Sequence, residues 1–271
     1  MFASPGAIAI EVGPLAIRWY GLLIATGVML GTSLAHREAT RRGQDPDKLL
    51  NLIILTVLSA LVGARLYYML FNLEYYLAQP LKIFAIWEGG LAIHGGLIAG
   101  AIATTAYCRS AGLSVPATTD IMVPGVTIGQ AIGRWGNFFN QEAFGVPTDL
   151  PWKLYIEPAY RPPQLKSFEY FHPTFLYESL WDLLVFCLLW FGLRKRLEGR
   201  PGALTLCYLG LYSLGRFWVE GLRIDSLMLG SLRVAQVMSL LLMLVSAVGL
   251  ALMLRKRRVD ADPVDRVRRG H

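Results

Sequence analysis

The chain has 271 residues, 54% of them apolar and only 17% charged, with a formal net charge of +7 and a mean hydropathy of +0.44. A soluble domain with a water-facing shell does not show that balance, so lipid is expected to be its main solvent. The positive charge gathers in short loops and the tail, where it reports topology and contact with anionic head groups, and a nucleic-acid-binding reading has little support.

Seven apolar runs approach the roughly twenty residues that cross a bilayer: Leu15–Ala35, Leu49–Phe71, Ile83–Tyr107, Val115–Ile132, Phe175–Leu193, Ala203–Gly221 and Val234–Leu254. Gly, Thr, His94 and Asp120 dilute the third and fourth, yet dropping either puts the basic loops on inconsistent sides. With the N-terminus outside, Arg37/Arg41/Arg42/Lys48, Arg109, Arg194/Lys195/Arg196/Arg200 and Arg255–Arg258 with the basic tail all fall inside, which is the positive-inside pattern. The fold expected is an all-α, polytopic membrane helix bundle of about seven transmembrane helices, N-terminus out and C-terminus in, with a small periplasmic cap. Residues 1–271 read as a single integral membrane domain, since no linker or low-complexity segment divides them. Met1–Pro14 has neither a basic n-region nor a small-residue cleavage site, so the first helix is expected to stay.

Between the fourth and fifth runs, Asn137–His172 carries Pro147, Pro151, Pro158, Pro162 and Pro163 with aromatics between them. Such a stretch breaks helices and is expected to form the outer cap, residues 137–172, with Asn72–Lys82 as a smaller outer element. Gly27/Gly31, Gly96/Gly100 and Gly125/Gly129/Gly133 repeat at four-residue spacing, which lets helix backbones approach closely in lipid. Cys108, Cys187 and Cys207 read as packing residues.

An ionised side chain inside a span costs about 2.5–3.5 kcal/mol on insertion scales, so one that persists faces protein, water or substrate. Arg65, His94, Arg134, Arg216 and Glu220 meet that description. All fall in the outward halves of their spans and are expected to converge on an outward-facing cavity. Tyr212, Arg216 and Glu220 lie at i, i+4, i+8, so Glu220 is placed to orient Arg216 one turn away; a purely structural ion pair fits that spacing equally well. Arg134, Asn137 and Gln141 share a face if the fourth helix continues that far. Two arginines from separate spans suit an anionic head group or a departing phosphate, and neither serves as a general base. His94, with Gly95 and Gly96 beside it to leave room for a substrate, is the one intramembrane side chain that exchanges a proton readily near neutral pH. A buried, merely hydrogen-bonded histidine is the plainer reading of it. Pro173 and Thr174 read as a helix start, and His172 is left unassigned. The histidines, His36, His94, His172 and His271, are scattered and form no H-E-x-x-H arrangement, and no G-x-S-x-G elbow appears; neither a metal nor another cofactor is expected.

The segment Gly133-Arg134-Trp135-Gly136-Asn137-Phe138-Phe139-Asn140-Gln141-Glu142-Ala143-Phe144-Gly145 resembles the signature of the bacterial prolipoprotein diacylglyceryl transferases. Other motifs agree in order: Arg18-Trp19-Tyr20-Gly21, His94-Gly95-Gly96-Leu97, His172-Pro173-Thr174-Phe175-Leu176-Tyr177-Glu178 and Arg216-Phe217-Trp218-Val219-Glu220-Gly221-Leu222-Arg223. The resemblance implies a multi-pass enzyme of the bacterial cytoplasmic (inner) membrane with its active site toward the outer face. It moves the diacylglyceryl group of phosphatidylglycerol onto the thiol of the lipobox cysteine in a prolipoprotein signal peptide; a thioether forms and glycerol phosphate leaves. That chemistry explains the missing nucleophile, because the attacking sulfur belongs to the substrate. The resemblance gives His94 the proton-accepting role, and Arg134 and Arg216 the stabilisation of the departing phosphate. Tyr20, Asn137, Asn140, Glu142, Gly145, Tyr212, Glu220 and Arg223 match motif positions that hold the head group or orient the arginines, and Arg134 contacts substrate as well.

The competing expectation from another class is a transporter or flippase of an anionic lipid or solute, which would leave phosphatidylglycerol chemically intact; the lack of an internal repeat weighs against it. An intramembrane protease lacks a Ser/His pair, a zinc site or paired aspartates.

Overall fold

Helices make up most of the chain in the computed structural model, which describes residues 2–13, 15–86 and 89–261. In order the elements are β1 (Phe2–Ala3), β2 (Ile8–Val12), β3 (Leu15–Arg18), α1 (Trp19–Arg41), α2 (Pro46–Leu70), α3 (Leu73–Ala78), α4 (Ile93–Ser110) and α5 (Val115–Asn140), followed by β4 (Leu154–Tyr155), β5 (Tyr170–Phe171), α6 (Thr174–Cys187), α7 (Ala203–Glu220), β6 (Met228–Leu229), β7 (Leu232–Arg233) and α8 (Val234–Ala261). Leu188–Leu193 prolongs α6 as a π-helical stretch. Among the described residues, three helices are long and apolar enough to cross a membrane, by length and composition: Pro46–Leu70, Thr174–Leu193 and Val234–Arg255. The other long helices, α1, α4, α5 and α7, are diluted by the same small and polar residues that the sequence singles out. The basic tail from residue 262 on, His271 included, lies outside the described residues.

Local chemistry sets the helix ends. Asp45 caps α2 by accepting from the backbone N–H groups of Asp47 (2.9 Å) and Lys48 (3.2 Å), and Pro46 occupies the first turn, where its missing N–H costs nothing. Two ends differ from expectation. The first apolar run does not begin as helix: Leu15–Arg18 pairs antiparallel with Ile8–Val12, and the helix runs from Trp19 to Arg41. The third run, expected from Ile83, becomes helical only at Ile93, because Pro80–Phe84 forms a 3-10 turn and Gly89 and Gly90 take φ of 91° and 75°, which an α-helix excludes. The short strands were not expected at all; at two to five residues each they are below the length at which alternation is visible.

Two compact units share the chain, one of residues 1–34 with 122–271, the other of residues 35–121. In the larger, an aromatic-rich core of Phe138, Phe144, Leu154, Ile156, Phe171 and Phe175 joins the end of α5, the 141–172 segment and the start of α6. The sheet β1-β4-β5 lies in the same region. A second core, Val123, Val185, Leu189 and Leu204, ties α5, α6 and α7 together deeper along the helices. In the smaller unit α2 and α4 pack closely, with the Thr56 and Thr104 hydroxyls 3.1 Å apart.

Candidate active site

Three helices of the larger unit bring charge to one place. Arg134 comes from α5, Glu178 from the second turn of α6, and Arg216 and Glu220 from α7. Glu178 is divided between the two arginines: Oε2 is 2.7 Å from Arg134 Nη1, and Oε1 accepts from Arg216 Nη1 at 2.5 Å. The other terminal nitrogen of Arg216, Nη2, lies 2.6 Å from Glu220 Oε2 as an ion pair, the one-turn pairing that the i, i+4 spacing predicts. Arg134 Nη2 donates to the Tyr212 hydroxyl at 3.4 Å, which places the third member of the Tyr212/Arg216/Glu220 stripe on the same cluster. Glu178, Glu220 and Asp182 are all buried, and the arginine side chains keep about a fifth of their surface open, 21% for Arg134 and 20% for Arg216.

Beyond α7 the cluster continues. Gly221 closes the helix, and Arg223 lies 3.8 Å from Glu178 Oε1 through Nη1 while gripping Asp225 with Nε (2.9 Å) and Nη2 (2.7 Å). Burial raises the Asp225 carboxyl, and the Arg223 guanidinium outweighs it, leaving the group below its ordinary value. Arg223 is held in line with Gly145 by an antiparallel bridge, and Gly145 N–H donates to the His172 carbonyl at 3.0 Å. A Cβ at Gly145 would stand 2.8 Å from His172 Cβ and 3.0 Å from the Leu222 carbonyl oxygen, so its place in the motif has a packing cause.

The turn after α5 carries the remaining motif residues. Asn137 and Asn140 both donate through Nδ2 to Glu142 Oε1, at 3.0 and 3.2 Å. The helix runs through Asn140, and Gln141 and Ala143 then adopt φ of 53° and 56°, conformations that cost non-glycine residues energy and gather at functional loops. Gln141 does not share the face of Arg134: its Nε2 donates to Glu157 Oε1 and its Oε1 accepts from Glu157 N–H, both at 2.8 Å, which fastens the turn to the following segment. Asn140, Glu142, Arg18, Tyr160 and Asp225 line a cleft of about 570 Å³, while Arg134, Glu178, Asp182 and Arg216 border a void of about 10 Å³, about the least that admits one water. Tyr20 packs its ring against Gly136, where any Cβ would collide with it. His172 Nδ1 lies 3.1 Å from the Tyr177 hydroxyl, and burial pushes its pKa down.

His94 and Arg65 belong to the smaller unit. His94 is exposed in the first turn of α4, its ring 6.1 Å from that of Tyr67. The glycines beside it do not leave room for a substrate: Gly95 abuts the Gly63 carbonyl, and a Cβ on Gly96 would stand 3.2 Å from the Ala60 carbonyl oxygen, so both serve the α2–α4 contact. Arg65 is buried and donates to the carbonyls of Ile83 (3.0 Å), Gly89 (2.6 Å), Gly90 (2.9 Å), Ala85 (3.4 Å) and Lys82. It pins residues 82–85 and 89–90 through these carbonyls and faces protein.

Glu178 and Asp182 were not among the residues expected at the site. A signal for them exists: two carboxylates one turn apart in an otherwise apolar helix carry the same insertion penalty that singled out the arginines.

Prolipoprotein diacylglyceryl transferase is the description of the family that matches residues 7–252. The chain is 53% identical over 268 residues to the phosphatidylglycerol–prolipoprotein diacylglyceryl transferase of Trichormus variabilis, covering 97% of this chain and 95% of that protein. It is 51% identical over 267 residues to the protein of that name from Synechococcus elongatus (97% and 92% covered) and 50% identical over 250 residues to that from Gloeobacter violaceus (92% and 93% covered).

Proposed function

The chain belongs to the prolipoprotein diacylglyceryl transferase family, and from that membership we propose a mechanism in which the Arg134–Glu178–Arg216 cluster receives the phosphate of phosphatidylglycerol. The enzyme transfers the diacylglyceryl group of that lipid to a prolipoprotein. The substrate thiol sulfur attacks the glyceryl carbon next to phosphate, the carbon–oxygen bond breaks, and its electron pair stays on the phosphate oxygen, so that a thioether and glycerol phosphate result. Charge developing on that oxygen is met by guanidinium groups in a water-poor site, where such donors count for more than in water. The observation that supports this reading best is the convergence of Arg134 and Arg216, from separate helices, on one carboxylate; a site that holds two carboxylate oxygens there offers the same donors to a phosphate.

Tyr212 and Glu220 orient the arginines by the contacts above. Asn137, Asn140, Glu142 and Arg223 line the outward side and hold the head group, Tyr20 and Gly145 shape the wall, and His94 takes the thiol proton, a role that rests on its motif alone. The whole chain acts as one integral membrane domain with residues 137–172 as cap. It spans the bacterial inner membrane seven times, N-terminus out and C-terminus in, with the site toward the outer face. The supports for that topology are the long helices and the basic loops at alternate ends.

The test is incubation of the purified chain in phosphatidylglycerol vesicles with a lipobox peptide, followed by mass spectrometry of the peptide cysteine. Diacylglyceryl addition that disappears in Arg134→Ala is the expected result. An unmodified peptide with a folded chain, and lipid moved but chemically intact, would count for transport instead.

A further inference from the structure

Glu178 touches both arginines, and neither neighbouring carboxylate does the same. Glu220 Oε2 forms an ion pair with Arg216 alone and no hydrogen bond, and Asp182, one turn further along α6, likewise leaves its buried Oδ2 without a hydrogen-bond partner. With its side chain 7% exposed, Glu178 lies 2.7 Å from Arg134 through Oε2 as an ion pair and accepts from Arg216 through Oε1 at 2.5 Å, and Arg223 approaches that Oε1 at 3.8 Å. Three guanidinium groups gathered in a low-dielectric site repel one another unless an anion lies between them. Before substrate arrives, that anion is Glu178.

Resting on the reading of this cluster as the phosphate-receiving centre, we propose that Glu178 is a positioning residue: the resident counter-ion that holds Arg134 and Arg216 converged, and that gives up part of its ionic contact to the substrate phosphate. Two consequences of opposite sign follow. Glu178 competes with a phosphate for the same N–H donors, so its charge weakens phosphate binding in the ground state. It also keeps the two guanidinium groups aligned, so its charge aids turnover, where misplacement is costly. A residue that served only as scaffold would lower both binding and turnover when replaced.

The near-isosteric Glu178→Gln, made in the full chain and assayed in phosphatidylglycerol vesicles with a lipobox peptide, separates these. The expected result is a kcat lower by about tenfold or more, with a Ki for inorganic phosphate that falls by about tenfold, the scale of one charge-assisted hydrogen bond. A kcat within about twofold of the native value overturns the proposal, and so does a lower kcat with weakened phosphate inhibition. If Glu178→Gln does not accumulate in folded form, Glu178→Asp decides: it keeps the charge but is too short to span both arginines, so reduced kcat with native phosphate inhibition supports the proposal and native kcat overturns it. Failure of both variants to fold makes Glu178 scaffold and overturns it too. An inactive native chain removes the transferase reading and this proposal together, whereas an active native chain with an unaltered variant removes the proposal alone.

Discussion

Gly31 of α1 and Gly125 of α5 meet so closely that a Cβ on Gly31 would stand 2.8 Å from the Gly125 carbonyl oxygen, and one on Gly125 would stand 2.9 Å from Gly31 Cα. Both obstacles are backbone, which has no rotamer to yield. Gly31→Ala therefore forces the two helices apart, and overpacking of this kind costs about 1–3 kcal/mol. The expected outcome is a lower thermal midpoint in detergent, with transferase activity retained below it. An unchanged midpoint would show that the helices slide to accommodate the methyl group.

Arg216 uses separate nitrogens for Glu178 and Glu220. Lysine supplies a single ammonium point charge, so Arg216→Lys keeps the charge and loses the fork. Turnover should fall by about a hundredfold or more, the effect of removing one donor aimed at developing charge, while the protein remains folded. Steady-state kinetics with phosphatidylglycerol and a lipobox peptide check this, and near-native turnover would mean that charge alone suffices.

How far the sequence revealed this site depended on whether the partners were neighbours along the chain. The Arg216–Glu220 pair was legible because four residues make one helical turn, and Arg134 was legible because an arginine at the end of an apolar run needs a reason. Glu178 was read only as part of a motif: its value comes from lying between α5 and α7, which no local period encodes. Arg65 has the same signature as Arg134, yet it binds the carbonyls of residues 82, 83, 85, 89 and 90, since a guanidinium satisfied by backbone and one paired with a carboxylate look alike before the chain is folded. Gly95 and Gly96 suggest room for a substrate by size alone, where α2 fills the space. Seven apolar runs were visible, and the 137–172 stretch was recognisable from its prolines, whereas the reciprocal Gln141–Glu157 bonding depended on a left-handed turn that asparagine or glycine would have announced and glutamine did not.

Gly145 is held in its motif by backbone contacts. Its backbone bridges to Arg223 and its N–H reaches the His172 carbonyl, and a Cβ there would press on His172 Cβ and the Leu222 carbonyl. Gly145→Ala should displace the segment that carries Arg223 and lower turnover by about tenfold, with a stability loss of about 1–3 kcal/mol. Parallel measurement of kcat and thermal midpoint checks both. A change in kcat with no change in midpoint would point instead to direct contact with substrate at this position.

Glu38 lies beyond the apolar part of α1 and is fully buried. Arg41 donates to it from Nε (2.9 Å) and Nη2 (2.7 Å), and Arg42 from Nε (2.8 Å). Burial alone would raise its pKa, but the two guanidinium groups outweigh that cost and bring the carboxyl from its ordinary 4.5 down to about 2. A carboxyl whose folded pKa lies below its unfolded one binds fewer protons in the native state, so its stabilisation is complete above the unfolded value and is lost as pH falls through the folded one. The contribution is on the order of 3 kcal/mol at neutral pH. Glu38→Gln should accordingly be less stable than the native chain at pH 7 by about that amount, with a gap that begins to narrow near pH 4.5 and closes near pH 2. Denaturant unfolding of both proteins across that range measures the gap directly. A gap that stayed constant between pH 7 and pH 2 would mean that the shape of the side chain, and not its charge, holds Arg41 and Arg42 in place.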